Sequence, residues 1–141
     1  MSDNKTTKYP VAEIATRALK KTNVTKVAGW DATKQRFVFV APYDCKVDQV
    51  SIVSDTGVTA SDTNYYSFQV QNLTANLALL SAAKTTQATG GTAVAADAQY
   101  KLNPNQNQVI NAGAVLELQV TETGVATDLT GAEIVAIVEY T

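Results

Sequence analysis

The side chains best placed for chemistry are the carboxylates Asp44, Asp48, Asp55 and Asp62, which fall within one stretch of the chain. Two carboxylates facing one cleft can work as general acid and general base. These four lie in expected loops and on strand exteriors, where aspartate is a turn former and a solubilising charge. Asp55, Asp62 and Asn64 bracket a loop whose oxygens could take calcium, although their spacing is not that of an EF-hand. Cys45 needs a basic or histidine neighbour to become a nucleophile, and the chain has no histidine. That absence excludes Ser-His-Asp and Cys-His arrangements and removes the commonest proton shuttle. Cys45, alone and within a strand, reads as a small buried hydrophobe. Gly90-Gly91 and Gly113 lack the strand-glycine-helix setting and the lysine of a phosphate loop, so they read as turn residues. Among the six tyrosines, Tyr65 and Tyr66 are adjacent and point to opposite faces, which leaves Tyr43, at a strand corner, as the better exposed sugar-stacking candidate. Packing is the reading preferred for all of them. The chain is expected not to be an enzyme and to carry no cofactor and no resident metal.

The elements that would position these residues are strands. Phe37, Val38, Phe39 and Val40 form an apolar run stopped by Pro42, which suits a strand's end. From Cys45 to Val53 polarity alternates in part, and one face is expected to be buried throughout. The loop from Ser54 to Thr63 is rich in Ser, Thr, Asp and Gly, residues whose side chains bond nearby backbone. Beyond it Tyr66, Phe68 and Val70 point one way while Tyr65, Ser67, Gln69 and Gln71 point the other, as in a half-buried antiparallel strand. Leu77 to Ala83 reads as a further strand in preference to a helical turn, which Leu and Ala also favour, and Lys84 to Gln99 as a long loop of low complexity. Val115 to Thr121 alternates again. The last strand, Ala132 to Tyr140, is apolar on both faces and is expected to be central, or to lie between the sheet and a second subunit. About seven or eight strands with turn signals about every ten residues describe a β-sandwich or jelly roll.

Only 17% of the residues are charged, against about 25% in a typical soluble domain, and Thr, Ser, Asn and Gln make up the difference. A net charge of -2 disfavours nucleic acid, which needs a basic patch. No run of about eighteen apolar residues suggests a membrane span, and the polar opening is unlike a signal peptide.

The strand ending in Ala41-Pro42, then Asp44-Cys45-x-Val47-x-x-Val50-Ser51, the Ser/Thr/Gly/Asp loop, and Asp62-Thr63-Asn64-Tyr65 before an aromatic-bearing strand ending in Gln71-Asn72 resemble the small head-decoration, or cement, proteins of tailed bacteriophages. The resemblance covers Arg36 to Asn72; from Gln108 to Tyr140 it rests on strand rhythm alone. It implies a structural virion protein that binds the outer surface of an assembled phage capsid and stabilises it. The implied partner is the major capsid protein, the implied assembly is a homotrimer, and the implied place is the capsid exterior after synthesis in the host cytoplasm. The alternative is a carbohydrate-binding module or the receptor-binding head of a fibre.

The expected architecture is all-β: a jelly-roll-like antiparallel β-sandwich over residues 31–141, preceded by an extended or partly helical N-terminal arm, residues 1–30. Val11, Ile14, Ala15, Ala18 and Leu19 recur as one helical stripe that Pro10 can open. A helix this short is marginal alone, so the stripe must dock on something. Tyr9, Val11, Ile14, Leu19, Val24, Val27 and Trp30 are the expected contacts to the capsid or a neighbouring subunit.

Overall fold

Alternation of period two sorts the chain into an inside and an outside. Tyr66, Phe68, Val70 and Asn72 are buried, and the residues between them are only half-buried. The computed structural model describes residues 20–27, 36–105 and 108–141. Within these residues there is no helix, and the strands are β1 (Lys21–Val27), β2 (Phe37–Val40), β3 (Cys45–Ser54), β4 (Tyr65–Asn72), β5 (Leu77–Ala78), β6 (Lys84–Thr85), β7 (Gln99–Lys101), β8 (Val109–Ile110), β9 (Val115–Thr123) and β10 (Ile134–Tyr140).

They form an antiparallel β-sandwich. The first sheet runs β1-β10-β3-β7, with β8 beside β3; the second runs β2-β9-β4-β5, with β6 beside β4. The inner faces meet in one core that includes Ile52, Tyr66, Phe68, Leu116, Leu118 and Ile134. Within it the Phe68 ring meets the edge of Tyr100 at 5.5 Å, a geometry favoured by aromatic quadrupoles.

The first sheet begins at Lys21 and not at Asp31. β1 pairs with β10 along its whole length, from Lys21 opposite Tyr140 to Val27 opposite Ile134, so residues assigned to the arm are part of the sandwich. Val27, 4% exposed, belongs to the core. The expected helical stripe from Val11 to Leu19 lies outside the described residues, and so does Trp30. β10 is central, as its two apolar faces suggest.

The two sheets are laced at the β1–β2 seam. Asn23 Nδ2 and Thr25 Oγ1 both donate to the Val38 carbonyl, at 3.1 and 3.0 Å. These bonds satisfy an edge-strand acceptor that would otherwise be open to pairing. A bulge between Phe37 and Phe39 turns both Val38 and Phe39 into the core.

Two loops differ from expectation. The strand read over Leu77 to Ala83 stops at Ala78, because the Gln69 amide takes over the role of a strand partner. It accepts from Leu80 N at 3.0 Å and donates to Leu80 O at 3.2 Å, and Leu79 and Leu80 both turn inward. The low-complexity stretch after Lys84 is zipped to the loop after β3. Val58 and Val94 exchange backbone hydrogen bonds of 2.8 and 3.0 Å, Ser61 N donates to Thr86 O, and Asp97 N donates to Ser54 O. The Tyr100 hydroxyl shares its proton between the carbonyls of Thr85 and Thr92, at 3.0 and 3.1 Å.

Burial pushes the Tyr100 hydroxyl up to about 12. A raised folded-state value for this group means that its contribution is intact below the unfolded value near 10 and is lost as pH rises from there toward 12. Alkaline titration of unfolding should therefore show stability falling in that window, and Tyr100→Phe should flatten the fall while lowering stability at pH 7 by about 1 kcal/mol. Gly124 gives a second test. Its φ is +69° and a Cβ there would run into Thr63 O and Asn64 Oδ1, whereas Gly113, at φ +83°, has open space. Gly124→Ala should cost about 3 kcal/mol or more and Gly113→Ala about 1 kcal/mol, read from denaturant midpoints.

Candidate functional site

The four aspartates that cluster in sequence do not cluster in space. Asp44 precedes β3 and Asp55 follows it, and the ten extended residues of that strand span about 33 Å. Each carboxylate also holds a backbone or hydroxyl group already. Asp44 Oδ1 accepts from Ala112 N at 2.7 Å and Asp48 Oδ2 from Thr141 Oγ1 at 2.7 Å. Asp55 Oδ1 accepts from Glu133 N and Thr56 Oγ1, both at 3.0 Å. Asp62 uses both oxygens on Thr89, from N at 2.8 Å and from Oγ1 at 3.1 Å. Asn64 Oδ1 accepts from Val125 N at 2.8 Å. The oxygens considered for calcium are thus directed to separate strands and loops. Among the described residues no group of three or more Cys, Asp or Glu side chains is arranged to hold a metal ion.

Cys45 is buried on the inner face of β3. Burial first, and the neighbouring Asp44 second, push its thiol up, away from the reactive thiolate. Tyr66 is wholly buried with its hydroxyl accepting from Leu129 N, and Tyr65 is on the opposite face. Tyr43 is the exposed ring. It lies 6.1 Å from Tyr140, whose ring stands 4.7 Å from Phe39, so an aromatic ladder climbs from the core to one end of the sandwich. Near that end Lys20, Lys21, Thr22, Asp48 and Glu139 line a notch of about 110 Å³, well below the roughly 300 Å³ at which small-molecule sites begin.

The described surface exposes Leu77 and Val109 on short strands and Val125 on a loop, and it gathers apolar side chains on the outer faces of both sheets. On the outer face of the first sheet, Val24 is 61% exposed and sits opposite Ile137, and Val135 sits opposite Val53. The last three are half-buried. Lys26, Lys101 and Glu139 rim this stripe. On the outer face of the second sheet, Val40, Val115 and Leu73 form one row: Val40 opposes Val115, and Leu73 N donates to Val115 O. Phe37, Glu117 and Gln71 form the next row. Phe37, Val40 and Leu73 are 55%, 59% and 38% exposed. Glu117, by contrast, is buried. Its Oε1 accepts from Gln119 Nε2 at 2.9 Å, while its Oε2 takes no hydrogen bond among the described residues.

Of the contact residues expected from sequence, Tyr9, Val11, Ile14, Leu19 and Trp30 lie outside the described residues. Val24 lies on the first-sheet stripe, and Val27 is in the core. Ile137 and Val135 were legible only as the second apolar face of β10. Val53 shares the parity of Cys45 and Val47, whose face was expected to be buried throughout, but the register shift between Val47 and Gln49 carries Val50 and Ile52 inside and Val53 out. Phe37, Val40 and Leu73 were read as strand or turn, since the bulge that turns Phe37 outward has no sequence signature. Comparison with known protein families, curated proteins and solved structures finds no match to the chain.

Asp62 should behave as a loop clamp. Asp62→Ala is expected to lower stability by about 1 kcal/mol and to open the 86–98 segment to proteolysis. Added calcium should leave the melting temperature of the parent unchanged. A calcium-dependent rise that disappears in Asp62→Ala would identify a metal site instead.

Proposed function

We propose that the chain is a structural virion protein that binds the outer surface of an assembled phage capsid and stabilises it, as a homo-oligomer and with the major capsid protein as its partner. The observation that carries this reading is the apolar stripe of Val24, Ile137, Val135 and Val53 on the outside of the first sheet. A β-branched stripe on a sheet's solvent side is a binding surface more readily than a folding requirement, since the inner face already supplies the core. The charge-poor surface and the carboxylates committed to loop geometry support a role in contact over a role in catalysis. Val24 is the member of the expected contact set that this reading keeps on the described surface.

The mechanism is mass action. A protein that binds only the assembled shell stabilises it by its binding free energy at every occupied site. Binding through a rigid sandwich face loses little conformational entropy, so modest apolar burial per copy suffices.

Density-gradient sedimentation of source particles tests the reading. The chain should travel with the particles, and Val24→Asp, at an exposed position, should leave the unfolding free energy within about 0.5 kcal/mol of the parent while shifting the chain to the top of the gradient. A parent chain that stays at the top, or a Val24→Asp chain that still travels with particles, would overturn the assignment. Glycan binding by that free chain would then favour the sugar-binding alternative.

A further inference from the structure

The side of the sandwich away from the β1–β2 seam is closed by a strap, residues 79–103. It follows β5, forms β6 against β4, crosses to the first sheet and pairs there with β3 as β7. The same device fixes both of its ends. At the first, Leu79 N donates to Val70 O at 2.8 Å, and Gln69 Oε1 accepts from its own neighbour Val70 N and from Leu80 N, each at 3.0 Å. At the second, Leu102 N donates to Val50 O at 2.8 Å, and Gln49 Oε1 accepts from its own neighbour Val50 N at 3.1 Å and from Asn103 N at 2.8 Å. Each glutamine also gives a donor back, Gln69 Nε2 to Leu80 O at 3.2 Å and Gln49 Nε2 to Asn103 Oδ1 at 2.9 Å. Leu79 and Leu102 both turn into the core beside their latch.

The two latches hold equivalent places in the fold. One sheet runs β1-β10-β3 and the other β2-β9-β4, and each ends in two short strands, β7 and β8 along β3, β5 and β6 along β4. Gln49 stands where the ladder breaks between β8 and β7, and Gln69 where it breaks between β5 and β6. A side-chain amide carries the donor and the acceptor of a peptide group, so it can stand in for a strand residue at such a break.

The strap is also tied to itself. Tyr100, on β7, reaches across to Thr85 O on β6 and to Thr92 O, and Thr92 N donates to Thr85 O at 2.9 Å. Asn105 N, just past the second latch, donates to Leu79 O beside the first, at 2.8 Å. Loss of one latch therefore loosens the other. We infer that residues 79–103 open and close as one unit, with Gln69 and Gln49 as the latches at its two ends, while the rest of the sandwich stays folded. Opening uncovers Leu79, Val94, Tyr100 and Leu102, which makes it rarer than the fraying of a loop. It leaves the pairing of β10 with β1 and β3 and of β9 with β2 and β4 in place, which makes it more frequent than unfolding. Closed, the strap covers the outer edges of β3 and β4. Open, it leaves them unpaired, so the latches control whether this side of the fold can take up a strand. This inference does not rest on the proposed function.

Native-state hydrogen exchange of the full chain against denaturant tests it. In the parent, the amides of Leu80, Thr86, Val94, Leu102 and Asn103 should merge into one exchange isotherm, faster than that of β9 and β10 and with a smaller denaturant slope. Gln69→Ala should speed exchange at Leu102 and Asn103 as much as at Leu80, about tenfold, because it removes a pair of hydrogen bonds that hold the whole unit. Gln49→Ala should do the same at Leu80 and Thr86. Separate isotherms for the two ends would overturn the inference. So would an acceleration confined to the latch that was removed, or strap amides that exchange only together with β9 and β10. The parent profile needs no substitution, so it decides the matter even where a variant fails to fold.

Discussion

The last strand of the chain closes the structure. β10 pairs with β1 on one edge and with β3 on the other, so the C-terminal strand must be in place before the first strand has a partner. Its inner residues Ile134, Ala136 and Val138 are buried in the core, and a polar substitution there would face desolvation on a strand with no free edge. Neighbouring strands of the first sheet are distant in sequence, and such non-local pairing slows folding because loop closure precedes the contacts that reward it. Even the exposed seam depends on it: β1 can present Asn23 and Thr25 to Val38 only while β10 holds it in register.

Polar side chains then do for the loops what ladders do for the strands. Gln69 clasps Leu80, and Gln49 accepts from Asn103 N at 2.8 Å while donating to Asn103 Oδ1 at 2.9 Å. Asn72 turns its chain by accepting from Ala75 N, and Asp62 and Asn64 fasten segments distant in sequence. This use accounts for a composition rich in Ser, Thr, Asn and Gln and poor in charge: a neutral amide or hydroxyl can be half-buried and bonded at less desolvation cost than a carboxylate or ammonium group. It also accounts for the lack of assembled chemistry among the described residues. Carboxylates bound to loop amides at opposite ends of a strand are structural by placement.

The faces of an unbroken strand were legible in the sequence, and β4 is the clearest instance, since its period of two places Tyr66, Phe68 and Val70 on one side. The apolar second face of β10 was legible too. What was not legible depends on contacts between distant segments. Thr22 to Trp30 reads as a β-prone linker, and what makes Lys21–Val27 a strand is the ladder to β10, since only Val27 is buried there. The end of β5 at Ala78 depends on Gln69, a residue whose amide could equally have faced solvent. Nor does a bulge announce itself: Phe37 to Val40 reads as a simple run, and only pairing with β9 shows that Val38 and Phe39 both turn inward. Of the surface sites, Val24 was found because it is apolar in a polar stretch, whereas Phe37 and Val40 were hidden in a run that looked like core and Leu73 in a stretch that reads as a turn.

The two apolar surfaces lie on the outer faces of different sheets, with the whole core between them, and a single contact cannot cover both. Their settings differ. The first-sheet stripe is centred on β10 and β1, the strands without which that sheet does not close, and it is rimmed by Lys26, Lys101 and Glu139, so an apolar centre is bounded by charge. The second-sheet patch reaches the edge strand β2, where a bulge turns Phe37 and Val40 outward and Val38 and Phe39 inward, so the same irregularity that fills the core also creates the exposed patch.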